Sequence, residues 1–116
     1  MSSSARRLPM LEESLRVPAD YTPRKRADVL ELDMGDGVIL YDNESSLVHH
    51  LNPSAALMWH MCDGSGSISD LARDISEEYG LERRTIHGQV TTVIAEFDAL
   101  GLVEDAREQL EARDGR

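Results

Sequence analysis

The chain has a single cysteine, Cys62, in 116 residues. No internal disulfide can form, and nothing in the sequence calls for an oxidising compartment. No apolar run is long enough to cross a bilayer as a helix. The arginines near the N-terminus are not followed by an apolar stretch, so no signal peptide is expected. These absences make the cytoplasm the expected location. Chemical constellations are missing too. His49 and His50 are adjacent and would point to opposite faces of a strand. His60 and Cys62 stand two residues apart and diverge on a helix. No second cysteine pair exists for a structural zinc. The glycines at 64 and 66 do not follow a strand, so they form no phosphate loop. No carboxylate stands out as a tuned acid or base. The expectation is a protein with no metal, no cofactor and no catalytic turnover.

Positive charge is scarce where a fold is expected. The formal net charge is −10. Residues 1–27 hold six of the twelve basic residues against Glu12, Glu13 and Asp20, which leaves that segment near +3. Residues 28–116 hold six basic and nineteen acidic residues, near −13. Such a surface repels phosphate backbones and gains nothing from counterion release. Neither nucleic acid nor a membrane is an expected partner. A partner bearing Lys or Arg would be steered towards it.

The chain divides into three parts. Residues 1–27 contain four serines, Pro9, Pro18 and Pro23, with no sustained period. They read as a flexible N-terminal arm. Residues 28–104 carry the periodic patterns of a folded domain, and 105–116 form a charged tail. Within the domain, Val29 to Met34 alternates, and the pattern predicts a half-buried strand with Leu30, Leu32 and Met34 on the buried face. Gly35-Asp36-Gly37 is a tight turn, Val38–Tyr41 a second strand, and Ser46–Leu51 a third. Links this short predict an antiparallel meander.

Three helices follow. Asn52 suits an N-cap and Pro53 the first helical position, giving a helix over 53–62 with Ala55, Met58, Trp59 and Cys62 on one stripe. Ser67 with Asp70 resembles a capping box, with Ser69 as the rival cap, before a helix to Tyr79. Its buried stripe is Leu71, Ala72, Ile75 and Tyr79, and Gly80 ends it. The third helix runs over 83–100 with Ile86, Val90, Val93, Ile94, Phe97 and Leu100 in helical register. Gly101 caps it. The expected fold class is α+β, winged helix-turn-helix-like, with a three-stranded antiparallel β-meander followed by three α-helices.

The segment Leu51-Asn52-Pro53-Ser54-Ala55-Ala56, with Trp59 and Cys62-Asp63-Gly64, resembles the PqqD family, named for pyrroloquinoline quinone biosynthesis. Ile68-x-x-Leu71, Tyr79-Gly80 and Leu100-Gly101-Leu102-Val103 fit the same pattern. The resemblance implies a small non-enzymatic peptide chaperone. Such domains, also called precursor-peptide recognition elements, bind the leader of a ribosomally made precursor. They present its core to a modifying enzyme, often a radical SAM protein.

The strand pattern agrees with this on one point. The last strand of a meander lies at an edge, where Ser46, Leu47, Val48, His49, His50 and Leu51 would offer unpaired main-chain groups to an extended peptide. Neither Lys nor Pro guards that strand. On the third helix, Val93 and Phe97 are assigned to the core, while Ile86, Val90 and Ile94 either lean towards the strand as the groove's second wall or are ordinary core residues. Arg83, Arg84 and His87 are expected to meet acidic leader residues. An open edge is compatible with a monomer or a weak homodimer. Two other functions fit the sequence less well. One is a small acidic protein–protein adaptor. The other is a winged-helix DNA-binding regulator, which the acidic domain disfavours.

Overall fold

The computed structural model describes residues 17–107. It contains β1 (Pro23–Lys25), β2 (Val29–Asp33), β3 (Val38–Asp42), β4 (Leu47–Leu51), α1 (Pro53–His60), α2 (Ile68–Tyr79), α3 (Arg83–Ala99) and β5 (Val103–Asp105). The expected meander is present as a three-stranded antiparallel sheet in the order β2-β3-β4. Its first turn depends on Gly35, whose φ of 88° suits a two-residue hairpin, and the Met34 amide donates to the Gly37 carbonyl across it. A β-carbon at Gly37 would collide with the carbonyl oxygen of Leu51, so a side chain there would push β4 away.

The helices form where the capping signals lie. The Asn52 side chain accepts from the Ala55 amide at 2.8 Å, and Pro53 occupies the first turn. Ser67, rather than Ser69, caps α2 in a reciprocal box with Asp70. Gly80 closes α2 in the left-handed conformation. Trp59 and Phe97 meet edge-to-face at 5.5 Å in the centre of the core, where α1 crosses α3. Leu40 and Val38 of β3 close the core from the sheet side.

Three expectations need correction. First, the packed body already includes Val17, ahead of residue 28. Val17 and Tyr21 are buried, and β1 pairs with β5 in a second, two-stranded antiparallel sheet. The Tyr21 hydroxyl donates to Asp98 at 2.8 Å. Burial, and then that carboxylate, push its pKa far above the usual phenol range. Arg26 donates to Asp28, Asp42 and the Gly101 carbonyl, tying the segment to both ends of the fold. Burial alone would raise the Asp42 carboxyl. Hydrogen bonds from the Glu44 amide and Arg26 outweigh it and hold the group below its usual range. At the other end Asp105 and Ala106 are buried, so the tail does not begin at 105. Residues 1–16 and 108–116 lie outside the described residues.

Second, β2 faces the opposite way. Leu30, Leu32 and Met34 are exposed, at 57%, 59% and 53%. Val29 and Glu31 turn inward instead, with Glu31 held by Lys25 at 2.9 Å and facing His60 at 3.8 Å. Alternation shows that a strand has two unlike faces; it does not say which one the helices cover. Third, Tyr79 and Leu100 are exposed at helix ends, where none of the described residues covers the side chain.

Candidate peptide-binding site

Among the described residues β4 has a partner on one side only. The hydrogen-bond phase of the sheet decides what its free side offers. Met34 and Gly37 close the β2–β3 hairpin as a bonded pair, so Leu32↔Ile39 and Leu30↔Tyr41 are also bonded pairs. Ile39 and Tyr41 therefore turn their main-chain groups to β2. Val38, Leu40 and Asp42 turn theirs to Leu51, His49 and Leu47 of β4. The main-chain groups of Val48 and His50 are left facing outward. An incoming strand would bond to these two residues.

β4 leads through Asn52 into α1, and Asn52 borders a hollow of about 580 Å³ between α1 and α3. Ala55 and Met58 of α1 line one wall. The other is a single stripe of α3: Thr85, Gly88, Gln89, Thr92, Val93 and Glu96. These positions recur at three- and four-residue steps and share one helical face. Small residues at 85, 88 and 92 keep the wall low. A second hollow of about 550 Å³ lies where β4 ends, between the Asp36-Gly37 turn, His50 and Pro53.

The residues expected to bind fall into separate groups. Leu47 and Val48 are exposed, His49 and Leu51 half-buried, and His50 exposed, all on the open strand. Ser46 precedes it in the turn, with φ of 62°. Arg83 and Arg84 are exposed at the start of α3, but neither they nor His87 belongs to the groove-lining stripe. Ile86, Val90 and Ile94 are core residues, at 6%, 0% and 0% exposure, and form no wall of the groove. Their shared face packs inward with Phe97 instead. Val93, assigned to the core by its apolar character, is half-buried and lines the hollow. The apolar period of α3 points away from the small-residue stripe. The signal for that stripe lies in Thr85, Gly88, Gln89 and Thr92.

Burial pushes the Cys62 thiol up to about 12, and its Sγ donates to the Met58 carbonyl at 3.2 Å. Among the described residues no cluster of His, Cys, Asp or Glu could hold a metal ion. No helix among them is long and apolar enough to cross a membrane.

The family model for Coenzyme PQQ synthesis protein D (PqqD) matches residues 37–103, more than half of the chain. The chain belongs to the PqqD family. That match runs from the β2–β3 turn to β5 and so includes the open strand and both groove helices. Three solved structures share the PqqD-like fold. The PqqD truncation of Methylobacterium extorquens PqqCD is described as a functional, stand-alone recognition element for ribosomally synthesised and post-translationally modified peptides. It is 17% identical with a TM-score of 0.66, covering 79% of this chain and 98% of that one. Lasso peptide synthetase B1, complexed with the leader peptide, is 23% identical with a TM-score of 0.63, over 72% and 98%. TbiB1, in complex with the TbiA(beta) leader peptide, is 16% identical with a TM-score of 0.63, over 70% and 94%. Comparison with curated proteins gave no match.

Proposed function

We propose that this PqqD-family chain recognises the leader segment of a ribosomally made precursor peptide and presents it to a modifying enzyme. The observation that carries the reading is the open edge of β4 beside the α1–α3 groove. An extended leader adds as a fourth strand, bonding to the main chain of Val48 and His50. Its inward side chains pass Leu47, His49 and Leu51 and settle against Ala55, Met58 and Val93. Leader complexes of two structural neighbours support this reading. The chain acts by binding alone, in the cytoplasm, and one copy suffices. The enzyme it serves is a radical SAM protein or a similar peptide-modifying catalyst.

A DNA-binding regulator would need cations on the exposed face of its recognition helix. α3 exposes Arg83 and Arg84 at its start, and beyond them its exposed face carries Glu96 and no Lys or Arg. The reading is tested by calorimetric titration of the full chain with the leader segments of ribosomally made precursor peptides, starting with any short reading frame found beside its gene. Saturable one-to-one binding is expected, and a scrambled leader should not bind. Equal affinity for the scrambled peptide, or none for the leader, sinks the proposal.

A further inference from the structure

The outer face of the three-stranded sheet lies away from the α1–α3 groove, yet it is largely apolar and none of the described elements covers it. The cross-strand register puts Leu30, Tyr41 and Val48 in one row and Leu32, Ile39 and His50 in the next, with Met34 at the end. Leu30, Leu32, Met34 and Val48 are each more than half exposed. Contiguous apolar surface of this kind is unusual on a soluble monomer and marks a contact site. The uncompensated charge near it is acidic. Between residues 27 and 72 there is no lysine or arginine at all. Asp36 in the first turn and Asp33 at the end of β2 have no ion-pair partner among the described residues, whereas Glu44 in the second turn lies 3.6 Å from Arg26 and Glu31 is held on the inner side by Lys25. Two copies placed face to face would bring these acidic rims together, and a chain of net charge −10 works against that.

We infer that this sheet face docks a folded partner protein whose contact patch is apolar at its centre and rich in Lys or Arg at its rim. Resting on the function proposed above, that partner is the modifying enzyme. The leader then occupies one edge of the sheet while the enzyme sits on its face. Val48 contributes its main chain to the first and its side chain to the second, so a bound leader widens the surface the enzyme meets.

The test uses the full chain, the leader peptide that it binds and the purified enzyme that modifies that precursor. Leu30→Glu with Leu32→Glu lies on β2, two strands or roughly 10 Å from the leader edge. It should weaken enzyme binding roughly tenfold or more while leader affinity stays within about twofold. Charge reversal at exposed Asp36 (Asp36→Lys) leaves the apolar face intact and guards against a folding artefact. It should slow association and flatten its salt dependence. Unchanged enzyme affinity in the double variant overturns the inference. So does a wild-type dimer that the double variant splits, which would assign the face to a second copy. Nuclear Overhauser contacts from the Leu30 and Leu32 methyls to residues 8–11 would assign the face to the chain's own N-terminal segment and overturn the inference equally. If the wild type binds enzyme but no leader, and the double variant loses the enzyme, the leader reading fails and this one stands.

Discussion

The two faces of α3 differ in almost every respect. One carries Ile86, Val90, Ile94 and Phe97, fully packed against α1, α2 and the sheet. The other carries Thr85, Gly88, Gln89, Thr92, Val93 and Glu96 and leaves a hollow. The first face holds the fold together. The second costs the fold little to vary, so its composition is free to serve a ligand. A bulky apolar residue on a helix is therefore a poor guide to a binding wall here; the low, small-residue stripe marks it.

The contrast can be broken by substitution. Ile94→Ala removes a fully buried side chain beside Phe97 and should cost about 2–5 kcal/mol of stability, read by urea denaturation. At a temperature where the variant remains folded, its leader affinity should match the wild type. A selective loss of leader binding would return Ile94 to the site. Gly88→Trp works in the opposite direction. A β-carbon at Gly88 meets nothing within 4 Å, so the ring has only the groove to fill. Leader affinity should fall roughly tenfold, about 1.4 kcal/mol, with no loss of thermal stability.

Strand addition is sharpened at β4. Val48→Pro deletes an outward N–H without touching a bond to β3, and proline is tolerated at such an edge. It should weaken the leader by about 0.5–1.5 kcal/mol, the value of one main-chain hydrogen bond, measured by calorimetry. His49→Pro deletes a bond to Leu40 and should instead lower the melting temperature. The smallest effect is Gly88→Ala, which should raise stability by about 0.5–1 kcal/mol because glycine is a poor residue inside a helix. A loss of stability there would mean that the groove is packed, not open.

Local signals made much of this fold legible. Asn52-Pro53, the Ser67–Asp70 box, Gly80 and Gly35-Asp36 each act over four residues or fewer, so the sequence places them correctly. The open strand at β4 followed from short links alone. What escaped was decided by distant partners. Pro23–Lys25 is a strand only because Val103–Asp105 lies beside it, and Arg26 is fixed by Asp42 and Gly101. Charge and proline in that segment look like an arm until those partners are known. The orientation of β2 escaped for a similar reason. Leu30 and Leu32 out-compete Glu31 for burial in any local reckoning, but Lys25 and His60 hold Glu31 on the inner side.

The central claim is most directly tested at two amides. In the full chain, labelled with ¹⁵N and titrated with the leader peptide, the Val48 and His50 amides should exchange with solvent in the free protein. They should become protected on binding and show cross-strand contacts to the peptide backbone. Protection that appears at Glu31 and Asp33 on the other edge, or nowhere in the sheet while the peptide still binds, would contradict it.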